Sequence, residues 1–337
     1  MLDVGSRRVQ QLTSTEALVA LVSEWKTLWD CSPRATLFQS PEWLLAWWEH
    51  LGAGEMHALT LREEGQLIGL FPLFRRTTEG NRQISAVGAG ISDSIDLLAA
   101  PGREAEVAAA MLGHLAMSDD WDCAVLPDVP ANSPLLCVAV PNGIEKETQD
   151  AEPCPVLVLP RPVAELANII PHRRWKKLSR ARRRLRREFV MQYETADDMT
   201  SVDELFRALV RLHTARWATR GKSGVLYDER IRAVHSQAAP FLLERGWLRL
   251  HALRLDGEVA AVWYGFSAKG RFHYYLSGFD PNFSQYNLGT LLIGYAIEHA
   301  VREGADEFDF LRGGEPYKYD WGATDRLQRR IRLARMR

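Results

Sequence analysis

One β-rich run carries three side chains that could do chemistry together. Arg271 to Phe279 reads as a strand, and strict alternation puts His273, Tyr275 and Ser277 on one face, with Phe272, Tyr274 and Leu276 on the other. An imidazole that is neutral near pH 7 beside a phenol is an acid–base pair, one group taking a proton while the other gives one. Downstream, Asp309 stands between Phe308 and Phe310 in a short run, Glu307 to Leu311, so it points away from both rings. A carboxylate inside a β run is expected to pair with a cation or to act as a base, and Arg312 and Lys318 are close enough in sequence to be that cation. Between the two runs, Asp280-Pro281-Asn282 breaks the strand, and Gln285-Tyr286-Asn287-Leu288-Gly289-Thr290 leads into helical apolar spacing from Leu291 to Val301. A helix starting near Leu288 aims free N–H groups and its positive dipole end at that turn, which makes an anion cradle.

A meander must position these groups. Leu253-Arg254-Leu255-Asp256-Gly257-Glu258-Val259 carries an Asp-Gly turn between two β runs, and the Arg271 strand follows after Ala268-Lys269-Gly270. Two helices, about Ser201 to Arg220 and Asp228 to Arg245, precede the hairpin. The first half has the same order of elements. An amphipathic helix from about Thr13 to Asp30 is followed by one opening at Ser40-Pro41, with Ser as cap and Pro at the first helical position. Then come β runs from Met56 to Arg62 and Leu67 to Arg75, a third near Ile84 to Leu98, a helix from Glu104 to Met117 and a strand from Asp122 to Leu126. At the hairpin, Leu61-Arg62-Glu63-Glu64-Gly65-Gln66-Leu67 sits beside the 253–259 segment almost residue for residue. The expectation is an α/β protein with mixed sheets, built as a tandem duplicated pair of lobes. Pro141-Asn142-Gly143 and Glu152-Pro153-Cys154-Pro155 punctuate the boundary, dividing the chain into 1–150 and 151–337. The second lobe holds the cleft, and the first reads as degenerate.

Hydrophobic residues at 46% and charged residues at 25% are ordinary globular values, which excludes a disordered chain. The opening segment, Met1 to Arg8, has no apolar leader run, and charges interrupt every apolar stretch, so a soluble, cytoplasmic protein with no transmembrane segment is expected. The four cysteines lie at wide, irregular intervals, which favours free thiols over a zinc site or a disulfide framework. The net charge of −1 conceals a concentration. Ten Lys or Arg residues and one acid lie between His172 and Glu188, a local charge of +9, leaving −10 for the rest. Trp175, Leu178, Leu185 and Phe189 recur at helical spacing, so one face of this helix packs and the others carry arginine. It is either a solvated helix whose stems cover apolar surface, or a contact for a phosphate, a tRNA acceptor arm, or an anionic polysaccharide or lipid. No helix-turn-helix or zinc motif accompanies it, so DNA is not expected as a partner.

The run Asp280-Pro281 through Gly289-Thr290-Leu291-Leu292, with Phe308-Asp309-Phe310-Leu311-Arg312-Gly313 and Glu315-Pro316-Tyr317-Lys318, resembles the CelD-like branch of the GNAT acyltransferase superfamily, which is related to the Fem-type aminoacyl transferases. Phe38-Gln39-Ser40-Pro41-Glu42-Trp43 is similar to the N-terminal signature of that branch. The resemblance implies an N-acyltransferase with tandem GNAT-like lobes that moves an acyl group from an acyl-CoA co-substrate to an amine or hydroxyl, with a sugar nucleotide or polysaccharide precursor as acceptor and no metal. It implies that Gln285, Asn287, Leu288, Gly289, Thr290 and Arg312 contact the donor. Leu288 stands where the superfamily loop has a glycine. By the same resemblance Lys318 neutralises charge developing on the donor, with Asp309, Glu315, His273 and Tyr275 as the remaining catalytic candidates and Glu315 the second choice for taking the acceptor's proton. Tyr317 and Trp321 are expected to wall the cleft. Direct attack by an amine needs no nucleophilic side chain, which suits a chain without a G-x-S-x-G motif. Two other functions fit the same residues: a Fem-type transferase using aminoacyl-tRNA, and a non-catalytic scaffold that binds anions.

Overall fold

The structure, a computed structural model, describes residues 8–336; the segment 1–7, on which the expectation of no leader run falls, and residue 337 lie outside the described residues. Two compact units divide the chain, Met1–Glu152 with Arg326–Arg337, and Pro153–Asp325.

In the first unit β1 (Val9–Leu12) leads into α1 (Thr15–Ala20), α2 (Val22–Cys31) and α3 (Pro41–Leu51). Ser14 and Ser40 cap α1 and α3, their hydroxyls accepting from the amides of Ala17 and Trp43 at 3.2 and 3.3 Å. Next come β2 (Glu55–Met56), β3 (Ala58–Glu63), β4 (Gln66–Phe71), β5 (Leu73–Thr78), β6 (Asn81–Ala86) and β7 (Leu98–Ala99). The run from Leu67 to Arg75, expected as one strand, is split at Pro72, which has no N–H to give to a ladder. The two pieces join different sheets, β4 in the order β1-β3-β4-β7 and β5 in a six-stranded one. The unit continues with α4 (Glu104–Met117), β8 (Cys123–Pro130), α5 (Pro134–Cys137) and β9 (Ile144–Asp150).

The second unit opens with β10 (Cys154–Val158), α6 (Leu166–Ile169) and α7 (His172–Glu188). It runs on through β11 (Met191–Thr195), α8 (Met199–Ala218), α9 (Glu229–Glu244), β12 (Leu248–Leu255), β13 (Glu258–Ala268), β14 (Arg271–Phe279), α10 (Leu288–Arg302), β15 (Glu307–Asp309), α11 (Pro316–Tyr319) and β16 (Thr324–Arg326). Its sheet has the order β11-β12-β13-β14-β15-β10-β16, so the architecture is mixed α/β. Asp256 and Gly257 both take positive φ, 50° and 89°, as a tight Asp-Gly hairpin turn requires. One face of α10 packs on the sheet through Leu291, Leu292, Ala296, Ile297 and Ala300, which meet Trp263, Phe272 and Phe308 in one buried cluster. The basic helix α7 adds Leu178, Ala181 and Leu185 to that cluster, and Arg182 pairs with Glu298 of α10 at 2.6 Å.

The last strand, β17 (Gln328–Arg335), lies between β8 and β9 in the six-stranded sheet of the first unit, whose order is β2-β5-β6-β8-β17-β9. The sequence expectation put these residues with the second lobe. Ile331 and Leu333 are each 1% exposed there, so burial of their alternating apolar face accounts for the return.

Candidate active site

The pairing of β14 with β15 is parallel and lasts three residues, Arg271–His273 against Glu307–Asp309. Beyond it β14 continues to Phe279 paired with β13 but no longer with β15, and the sheet opens on that side. A bulge lies at that point. Gly265 of β13 opposes Tyr274 and Tyr264 opposes Leu276, which leaves Tyr275 as an extra residue. Gly265 is required here, because a Cβ on it would lie 2.1 Å from the His273 carbonyl oxygen.

The bulge overturns the alternation expected from the sequence. His273, Tyr275 and Ser277 do not share a face. Tyr275 packs with His235, Tyr264 and Phe266, at centroid distances of 5.3, 6.0 and 5.5 Å. Ser277 is carried to the face of Tyr274, and the two hydroxyls meet at 2.6 Å. Tyr317 hydrogen-bonds to Tyr274, completing a cluster of three hydroxyls. Burial pushes both phenols above the ordinary tyrosine range, so they stay protonated at neutral pH and act as donors.

Helix α8 crosses this strand at close range. Gly278 permits it, since a Cβ there would lie 2.6 Å from the amide nitrogen of His213. One turn further along α8, Arg216 is laid over the Phe279 ring, 4.6 Å from its centroid. Among the described residues its guanidinium makes no hydrogen bond, and its Nε is buried without a partner.

Opposite, the chain turns through Asn287 in the left-handed region (φ 57°) and α10 begins at Leu288, where the sequence expects it. Asn287 gives no side-chain cap, and the amides of Leu288 and Gly289 have no acceptor among the described residues. Arg174, 6% exposed, is held beside them: it donates to Thr290 Oγ1 at 3.3 Å and to the Tyr317 carbonyl at 3.1 Å, pairs with Asp320 at 3.3 Å, and lies over the Trp321 ring. Burial depresses its guanidinium below the usual arginine range, with Asp320 opposing.

These parts line one cleft of about 370 Å³, with Tyr274, Ser277 and Tyr317 on its wall, Leu288, Gly289 and Thr290 at its edge, and Arg174, Lys177, Arg216 and Arg220 as its cations. Asp320 is the one acid among the lining residues, and it is paired with Arg174. A second groove of about 430 Å³ runs between α7 and the turn, lined by Arg173, Lys176, Lys177, Arg180 and Arg184 with Gln285 and Tyr286.

The residues singled out in the sequence fall into two groups. Asn287, Leu288, Gly289 and Thr290 line the cleft, and Gln285 lines the basic groove. The others lie elsewhere. His273 is 1% exposed on the face opposite Phe272 and Tyr274. Asp309 is buried, and one of its oxygens accepts from the amide of Leu311 at 2.7 Å, holding that residue at a φ of 58°. Lys318, expected to meet charge on a donor, is 3% exposed, and its three N–H groups are spent on the carbonyls of Leu311, Arg312 and Gly313 at 2.8–2.9 Å. Glu315 pairs with Lys318 at 2.9 Å. Arg312 does not line the cleft; its carbonyl is one of the three that Lys318 holds.

Residues 172–319, which contain the cleft, the turn and α10, match the family model described as an acetyltransferase (GNAT) domain. The second unit carries a GNAT acetyltransferase domain. The class of activity that goes with it is N-acyl transfer. No curated protein matches the chain in sequence. Among solved structures, the crystal structure of FemX is similar over 96% of each chain, with a TM-score of 0.67 at 12% identity. The C-terminal domain of a putative lysylphosphatidylglycerol synthetase from Agrobacterium fabrum is similar over 93% of this chain and 91% of that one (TM-score 0.59, 11% identity). The tandem GNAT protein from the clavulanic acid biosynthesis pathway is similar over 97% of this chain and 98% of that one (TM-score 0.51, 16% identity). At these identities the likeness is one of fold.

Arg216, Arg174 and Tyr274 of the GNAT domain were not legible as site residues. Arg216 is far from the turn in sequence, and Tyr274 falls on the wrong face if β14 is read without its bulge. A small residue in each of two neighbouring strands, Gly265 and Gly278, is the signal that could have marked the irregularity.

Proposed function

We propose that the GNAT domain transfers an acyl group from an acyl-CoA to an amine or hydroxyl acceptor, a sugar nucleotide or polysaccharide precursor, in the cleft between β14 and the start of α10. The observation that carries this reading is the pair of unsatisfied amides at Leu288 and Gly289 facing a cleft whose wall bears three linked hydroxyls. The amides and Lys177 suit the phosphates of the donor. The phenols suit its reacting end. As the acceptor attacks the thioester carbonyl, charge develops on that oxygen and then on the departing sulfur. Tyr274 and Ser277 can hydrogen-bond the oxygen, and Tyr317 can give its proton to the thiolate. Glu315 is not among the residues lining the cleft and pairs with Lys318, but its charge acts on both phenols, which makes it the candidate for taking the acceptor's proton. Lys318 serves this chemistry at one remove, by fixing the loop that carries Glu315 and Tyr317.

The test is release of free thiol from a panel of acyl-CoAs in the presence of amino-sugar acceptors. Wild-type protein is expected to release thiol, and Tyr317→Phe to lower kcat by about 100-fold while leaving the KM for the acyl-CoA within about threefold. A Tyr317→Phe enzyme of unchanged kcat refutes the assignment of that proton. A second reading, with aminoacyl-tRNA as donor, is favoured by the basic groove, where Arg173, Lys176 and Arg180 line one wall in a helical stripe. It gains if no acyl-CoA is consumed while RNA binds with a steep dependence on salt.

A further inference from the structure

Arg216 is the cation that the donor does not explain. Of the other cations around the cleft, Arg174 is engaged within the chain and Lys177 is placed for the donor's phosphates. The terminal nitrogens of Arg174 are engaged by Thr290, Tyr317 and Asp320, though its Nε too is buried without a partner, and Lys177 lies on α7 beside the basic groove. Arg216 comes from α8. Its charge acts on the hydroxyls of Tyr274 and Tyr317, at the reacting end. Its Nε is buried without a partner while the rest of the guanidinium opens on the cleft, and α8 comes this close to the strand only because residue 278 is glycine. Stacking on Phe279 fixes the plane of the guanidinium and leaves its edge, the side that holds two oxygens of a carboxylate or phosphate at once, free of protein partners. Arg220, one turn along the same helix, lines the same cleft and adds a second positive charge.

Resting on the reading of the cleft as an acyl-transfer site, we infer that the acceptor is itself anionic, and that Arg216 is the residue that selects it, by gripping a carboxylate or phosphate group on the acceptor while its amine or hydroxyl meets the thioester. A neutral amine would leave this guanidinium unpaired in the complex, which is the condition under which a polar site discriminates most strongly.

Two matched pairs test it with acetyl-CoA as donor: glucosamine against glucosamine 6-phosphate, and phenylalaninamide against phenylalanine. The wild type is expected to favour the anionic member of at least one pair by about 100-fold in kcat/KM. Arg216→Met should reduce that preference to below about tenfold, Arg216→Lys should keep part of it, and the KM for acetyl-CoA should stay within about threefold in both. The pair that responds says whether the anion is a phosphate or a carboxylate. Calorimetric binding of N-acetylglucosamine 6-phosphate and N-acetylphenylalanine, which needs no donor and no turnover, gives an independent arm. If one of them binds the wild type and not Arg216→Met, the inference stands even where acetyl-CoA is never consumed and the acyl-CoA reading has failed. Equal use of the neutral acceptors, an Arg216→Met effect confined to the KM for acetyl-CoA, or binding of neither probe in a protein that also shows no preference in turnover overturns it. A thermal melt of each variant confirms that the fold is intact.

Discussion

Acid should loosen the bulge that shapes the cleft, through His235. This imidazole is 1% exposed, its Nδ1 lies 3.1 Å from the hydroxyl of Tyr264, and its ring meets Tyr275, the extra residue of the bulge, at 5.3 Å. Burial holds its pKa down at about 3, against 6.5 for an ordinary histidine. A histidine depressed in this way contributes stability that is complete above pH 6.5 and is lost as the pH falls towards 3, because the unfolded chain takes up the proton first. At pH 5 the unfolded histidine lies roughly one and a half pH units below its titration point while the folded one is still neutral, so the loss is about 2 kcal/mol. His235→Asn removes the titration and keeps an amide near the position of Nδ1. Urea unfolding at pH 8 and pH 5 is the assay, and the wild type should lose about 2 kcal/mol more than His235→Asn between the two. His213, held at about 4, and His251, held well below its ordinary value, titrate in both proteins and cancel from the difference. If the two proteins lose stability in parallel, His235 is not buried neutral in the native state and the reasoning fails.

Two substitutions separate support from contact. Lys318→Met leaves three carbonyls without their donor and should cost about 3 kcal/mol or more, seen as a fall of roughly 10 °C in Tm; an unchanged Tm with a collapsed kcat would mean that the ammonium touches substrate instead. At Gly289 a Cβ would meet only the Phe279 ring, at 3.6 Å, so Gly289→Val should fold normally, while its branched side chain fills the cleft edge and weakens acetyl-CoA binding about tenfold by calorimetry. Unaltered binding would place the donor elsewhere.

The sequence by itself determined the local elements of the second unit and the place where α10 starts. The Asp256-Gly257 turn, the break at Asp280-Pro281 and the apolar period after Leu288 are all decided by nearest neighbours, through backbone sterics and the spacing of apolar side chains. It also determined that α7 concentrates positive charge. What only the tertiary structure decided is which side chains share a space. The bulge at Tyr275 arises from the pairing of β13 with β14, and one inserted residue moves Ser277 to the face of Tyr274. Arg216 reaches the cleft only because α8 lies against Gly278, a contact between segments about sixty residues apart. The return of β17 to the first unit is of the same kind, since a strand records which of its faces is apolar and not which sheet will cover it. Lys318 shows the limit most plainly: its position along the chain was legible, but whether its three protons face a ligand or three carbonyls depends on how the 311–313 loop folds back around it.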